Sequence, residues 1–285
     1  MAESYLARAW RNPIAIVRVA IGLYVAVHFA MLVPWAAELF SSAGMLPDAS
    51  ASPLARAFPN VLAIVDGPMF ATAFVGLGAL AGLCLALGHH HRSFAGVAAY
   101  VLACTFGRNP LIANPSLPYV GLLLVTWMLV GDEATRRGAW PRRIYGALWI
   151  AMAVGYTYSG VTKLAAPSWV DGTALQHVLA NPLARPGGLG DVLRACPGWA
   201  LQLATWATLG LEIVFAPLAL SRRLRPWVWT AMVGMHVGLM LVVDFADLSA
   251  GMLLLHLATL DPRDFSRRPR PLRTSDGLGR ASPQT

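Results

Sequence analysis

Tyr156-Thr157-Tyr158-Ser159-Gly160-Val161-Thr162-Lys163-Leu164, followed by Pro167-Ser168-Trp169-Val170-Asp171-Gly172, is the stretch whose reading decides the fold. It closes an apolar run that starts near Ile144, long enough for a helix to cross a bilayer, which takes ~20 residues. Two tyrosines, a serine, a threonine and a lysine gather at the end of that run. An ammonium in or near hydrocarbon is costly, so an ionisable residue there marks a functional site by default. Beside that reading stands a plainer one, in which Lys163 extends its amine to the headgroups, as lysines near helix ends do.

The rest of the chain resembles this run more than it resembles a soluble domain. Of 285 residues, 56% are hydrophobic and 13% charged, against roughly 25% charged in ordinary soluble domains. Mean hydropathy is +0.56. The net charge of +8 is not a nucleic-acid signal, because the arginines sit in short loops between apolar runs rather than in a basic groove. Cys84, Cys104 and Cys196 show no metal or disulfide spacing, so neither a zinc site nor a cross-linked scaffold is expected. The first apolar run, from Ile14 to about Trp35, exceeds a signal-peptide core and lacks a clear cleavage site, so it reads as a retained span.

Eight apolar segments follow one another, at roughly 14–37, 68–88, 94–106, 117–131, 144–165, 198–220, 226–243 and 248–260. The third, fourth and eighth are short for a full span. Arg8 and Arg11, then Arg92, then Arg136, Arg137, Arg142 and Arg143, then Arg222, Arg223 and Arg225, then the arginines after Leu260 all fall on one side if every segment crosses. Positive charge of this kind marks the cytoplasmic side. The sequence therefore predicts an all-α, polytopic integral membrane helical bundle of about eight transmembrane segments, with N- and C-termini cytoplasmic. Residues 1–260 form the membrane domain, and 261–285 a basic tail whose Pro-, Arg- and Ser-rich composition reads as disordered. The proline-rich loops 38–67 and 166–197 lie on the opposite side and have room for short interfacial helices. The expected location is the cell inner membrane, multi-pass, with the lipid bilayer as first partner.

On this topology Lys163 lies at the outer end of its span. Arg108, Asn109 and Asn114 share that side, as do Asp244 and Asp247, with His28 and His236 within spans. Polar groups facing one side from within a bundle suggest a cavity that opens outward. A lysine desolvated by helices can act as a base; equally, Asp171 or Asp244 can pair it. Tyr156 can donate to an oxyanion, while Tyr158 reads as an interfacial aromatic. His236 is a proton relay or a helix–helix hydrogen bond. Glu212 requires protonation or a partner, with Arg18 and His256 the candidates, and Arg18 itself reads as a snorkelling end residue. His89-His90-His91-Arg92 reads first as a cytoplasmic turn and second as a weak metal tract. No metal site is expected.

Tyr156-x-x-Ser159-Gly160-Val161-x-Lys163-Leu164 with Trp169-Val170-x-Gly172 resembles the core motif of vitamin K-dependent gamma-carboxylase and of the wider horizontally transferred transmembrane (HTTM) family. Arg18-Val19-Ala20-Ile21-Gly22-Leu23, Leu77-Gly78-Ala79-Leu80 and Asn114-Pro115-Ser116-x-x-Tyr119-x-Gly121 resemble the family's first span, second span and polar turn, in the same order. The resemblance implies an outward-facing intramembrane site. In it Lys163 would be the base, on reduced vitamin K or another quinol, with His236 and Tyr156 catalytic and Asn114, Arg108, Trp169 and Asp244 binding substrate. It implies a carboxylase-like enzyme acting on a peptide or small substrate. Pro115 and Thr162 stand where the carboxylase has a histidine and a second lysine, and its large extracytoplasmic domain has no counterpart in these 285 residues. Two other readings remain: a non-catalytic accessory for maturation or export of a secreted peptide, and a quinone-interacting subunit with a redox partner.

Overall fold

The computed structural model describes residues 12–260, apart from 55, 56, 113 and 222. Arg8, Arg11, Arg56, Arg222 and the predicted tail of residues 261–285 lie outside the described residues. No strand forms among those described; Ala184 and Val243 alone pair as an isolated antiparallel bridge.

The helix boundaries follow the local chemistry. Helix α1 (Pro13–Leu32) starts where Asn12 accepts a hydrogen bond from the Ile14 amide at 3.1 Å and proline takes the first helical position, where its missing N–H costs nothing. A 3₁₀ turn carries it into α2 (Ala36–Phe40). Helix α3 (Pro68–Leu87) ends at Gly88, whose φ of 81° is the left-handed C-terminal turn that glycine adopts without strain. Then come α4 (His91–Arg108), α5 (Leu117–Arg137) and α6 (Arg142–Lys163). The short α7 (Pro167–Val170), α8 (Ala174–Ala180) and α9 (Gly188–Arg194) fill the long loop predicted to hold small helices. Helices α10 (Gly198–Ile213) and α11 (Phe215–Leu220) are separated by a break at Val214. Helices α12 (Arg225–Val242) and α13 (Ala246–Ala258) complete the bundle.

Each apolar segment read from the sequence falls on helix, 14–37 running across α1 and into α2 and 198–220 across α10 and α11. The third and fourth are lengthened by their flanks, to 18 and 21 residues, whereas the eighth remains at 13. Three stretches, Pro13–Phe40, Pro68–Leu87 and Leu117–Arg137, are long and apolar enough to cross a membrane. Helix α6 has the length, at 22 residues, but its tyrosines, threonines, serine and lysine lower its hydropathy.

Helices α1 and α3 form the most extensive pair. A Cβ on Gly22 would stand 2.4 Å from the Ala86 amide nitrogen, and one on Gly82 2.4 Å from that of Ala26. Only glycine permits that backbone approach. Arg18 spans the same contact and is buried, donating from Nη1 to the carbonyl oxygens of Leu85 and Ala86. These carbonyls belong to the last turn of α3, where helix carbonyls run out of i+4 donors; that of Leu85 also accepts from the Gly88 amide at 3.1 Å. The predicted snorkelling of Arg18 is thus corrected: the guanidinium caps a neighbouring helix.

Helices α3, α4 and α5 continue the first half of the bundle; α6 packs on α10 and α11, and α11 on α12. Helix α13 lies between the halves and touches α1, α5, α6 and α12. That position decides the polar geometry, because α13 carries Asp247, Ser249 and His256.

Candidate functional site

Of the quoted stretch, Tyr156–Lys163 forms the last two turns of α6 and Pro167–Val170 forms α7. Tyr158 is 70% exposed on the outer face, while Tyr156 and Gly160 point into the bundle. A Cβ at Gly160 would lie 2.7 Å from the Ile213 nitrogen, so the glycine lets α10 lie directly against α6.

That contact brings Lys163 to Glu212. Lys163 Nζ donates to both carboxylate oxygens, at 2.6 and 2.5 Å, and stands 4.5 Å above the Trp169 ring. The Glu212 side chain is 5% exposed and that of Lys163 24%. The predicted pairings of Lys163 with Asp171 or Asp244, and of Glu212 with Arg18 or His256, are therefore corrected. The physical reason is depth. Gln202 and Trp206, in the first half of α10, donate to the carbonyls of Asp171 and Val170, beyond the end of α6. Glu212 consequently reaches the level of Lys163 rather than lying deeper in the bundle.

Two turns below, the Tyr156 hydroxyl lies 2.8 Å from His236 Nε2 and 2.7 Å from His256 Nε2. His236 Nδ1 lies 3.3 Å from the Ser249 hydroxyl, and His256 Nδ1 is buried with no partner. All four residues are buried. The hydroxyl has one proton, so one imidazole accepts it and the other must donate to the oxygen. If His256 is protonated on Nε2, its vacant Nδ1 is only a bare lone pair. With the opposite tautomer that position would be a buried, unsatisfied N–H, which costs ~1–3 kcal/mol. The favoured chain is therefore directed, His256 Nε2–H to Tyr156 O, Tyr156 O–H to His236 Nε2, and His236 Nδ1–H to Ser249. Glu212 and Lys163 lie within electrostatic reach of Tyr156 and His236, respectively.

The remaining predicted binding residues do not join this centre. Asn114 donates to Asp247 Oδ2 at 2.5 Å. Arg108 is 1% exposed and fastens the first long loop, donating to the Leu46 carbonyl at 2.6 Å. Asp244 pairs with Arg185 at 3.0 Å on the exposed corner between α12 and α13. Trp169 alone is beside Lys163. An open cavity of about 430 Å³, lined by His90, His91, Arg92, Ser93, Met128 and Asp132, lies at the other end of the bundle. His91 there accepts from Trp127 Nε1 at 2.9 Å and faces Asp132 at 3.3 Å, so its ring nitrogens serve packing.

Comparison offers no precedent. No family model, curated protein or solved structure matches this chain.

Sequence reasoning placed Tyr156, Lys163 and His236 in one centre but missed Glu212 as the lysine's partner, and Ser249 altogether. A signal for Glu212 was present. A carboxylate within an apolar run demands a counter-charge, and Lys163 ends the apolar run that precedes it in the sequence.

Proposed function

We propose that this chain is a multi-pass inner-membrane protein of HTTM type, with eight spans and both termini cytoplasmic, that performs carboxylase-like base chemistry at an intramembrane site. The observation carrying this reading is the two-oxygen Lys163–Glu212 pair set beside a hydrogen-bonded Tyr156–His236–His256 chain in an otherwise apolar bundle. In low dielectric, charge separation loses much of its advantage, and the pair can pass a proton from ammonium to carboxylate. The neutral amine so formed is a part-buried base beside the Trp169 ring. Trp169 lies over that amine, and Tyr156 offers a hydroxyl held by two imidazoles. A weakly acidic co-substrate, reduced vitamin K or another quinol, would reach the amine from the bilayer and give it a hydroxyl proton; dioxygen would oxidise the quinol to furnish the base that takes a C–H proton from a peptide or small molecule, and carbon dioxide would add at that carbon. The alternation of helices supports the topology, placing Arg92, Arg136, Arg137, Arg142, Arg143, Arg223 and Arg225 at one end of the bundle.

The complete pairing of Lys163 favours a second reading, a non-catalytic accessory in which the ion pair only locks α6 to α10. Consumption of a reduced naphthoquinone under air, by the protein in nanodiscs, tests the first reading. Wild type should exceed empty discs, and Lys163→Met, compared at equal amounts of folded protein, should fall to their level. Equal rates for wild type and empty discs would leave the accessory reading.

A further inference from the structure

The outer end of the bundle holds a second polar cluster that the Lys163 centre does not use. His28 and Tyr24 come from successive turns of α1, Asn114 and Ser116 from the segment before α5, and Asp247 from the first turn of α13. His28 Nδ1 lies 3.1 Å from Asp247 Oδ1. Asn114 Nδ2 takes the other carboxylate oxygen. The orientation of that amide is itself locked, since Asn114 Oδ1 accepts from the Ser116 amide at 2.9 Å and the Ser116 hydroxyl at 2.6 Å. Each Asp247 oxygen thus faces a donor, and an ionised carboxylate accepts only.

The tautomer of His28 follows. Nδ1 carries the proton toward Asp247, and in the neutral ring Nε2 is left as a lone pair. No hydrogen bond to Nε2 forms among the described residues, and the side chain keeps 11% of its surface open. Tyr24 stacks on the imidazole at 5.8 Å and 15°, which fixes the ring plane. The Tyr24 hydroxyl is buried beside Asp247, Ser116 and Asn114 and belongs to the same cluster. On the flanking surface of α1, Val27 and Met31 are exposed and apolar.

We propose that His28, oriented by Asp247, is a general base in its own right for an apolar molecule bearing one weakly acidic O–H or N–H. Such a molecule reaches Nε2 across the Val27–Met31 face of α1. The proton leaves the ligand's oxygen or nitrogen for His28 Nε2, the bonding pair stays on the ligand as its anion, and the imidazolium formed faces the Asp247 carboxylate. No oxidant or metal enters the step. Carboxylate-oriented imidazoles perform such transfers elsewhere. This proposal goes beyond the Lys163 chemistry and does not depend on it.

The test uses the full chain in nanodiscs with a 4-nitrophenol carrying a long alkyl tail, at a pH where the probe in empty discs is mainly neutral. Wild type should raise the phenolate absorbance several-fold over empty discs. His28→Gln should abolish the gain and Asp247→Asn should reduce it. No gain with wild type, or a gain that survives His28→Gln, overturns the proposal. A gain lost only in Lys163→Met assigns the abstraction to the other centre and overturns it as well. If His28→Gln does not insert, ¹⁵N spectra of wild-type histidine decide: the proposal requires protonated Nδ1 and bare Nε2 at His28, and the reverse tautomer refutes it.

Discussion

Lys163 and Glu212 meet through both carboxylate oxygens, at 2.6 and 2.5 Å, from helices that pass each other in opposite directions. Breaking a buried pair from one side leaves an uncompensated charge, whereas removing both ends is often nearly neutral. Lys163→Met should therefore destabilise the protein by up to ~3–5 kcal/mol, toward the lower end because the lysine side is part-exposed. The double variant Lys163→Met, Glu212→Leu should recover most of that loss. Thermal unfolding in detergent measures both, and a double variant no more stable than the single would show that the pair is not electrostatically closed.

The directed chain through Tyr156 predicts unequal substitutions at His256. Glutamine can present an N–H to the Tyr156 oxygen where Nε2–H stood; leucine cannot. His256→Leu should cost ~1–3 kcal/mol and His256→Gln clearly less. Nitrogen-15 spectra should find His256 protonated on Nε2 and His236 on Nδ1. The same tautomer at both rings would contradict the direction assigned.

At Gly160 the added methyl of alanine meets the Ile213 backbone at 2.7 Å, which no side-chain rotation relieves. Gly160→Ala should push α10 away from α6 at a cost of ~1–3 kcal/mol. It should also quicken the reaction of Lys163 with amine-directed reagents, read by peptide mass spectrometry. An unchanged rate would place the control of lysine exposure elsewhere.

Glycines in one helix should behave in opposite ways. Gly82→Ala collides with the Ala26 backbone and should lower the melting temperature, whereas Gly76 has nothing within 4 Å. Gly76→Ala should be neutral or stabilising by up to ~1 kcal/mol from helix propensity alone. Equal effects would deny that α1 and α3 meet backbone to backbone.

The predicted topology is open to reporters. A cytoplasm-dependent fluorescent fusion after Leu260 should be bright, and one inserted after Gly187 dark. The reverse pattern would invert the charge-based orientation.

The bundle was legible because hydrocarbon-facing helices declare themselves by length and apolarity, as α1 and α3 do, and because arginines accumulate at the turns between them. The centre was legible only in part. Tyr156 and Lys163 share a motif and two facing turns of α6, so spacing united them. Their partners come from α10, α12 and α13, and the depth of α10 depends on α7 and the Asp171 loop seating its first turns, which no local pattern encodes. For the same reason Asn114, adjacent to the centre by topology, is drawn instead to Asp247. Arg18 was misread because its recipient, the open end of α3, appears only once the helices are paired.

Helix α13 has 13 residues, about 20 Å by the rise of an α-helix, too little to hold itself in a bilayer. It is held at its ends by others: Trp140 Nε1 and Tyr145 Oη donate to the carbonyls of Ala258 and Thr259, and Asn114 grips Asp247. Among the described helices this segment is the last in the chain, so the helices that receive it are all made before it. Until it docks, the Tyr156 hydroxyl lacks one imidazole and His28 its carboxylate. Docking of α13 therefore completes both polar centres at once.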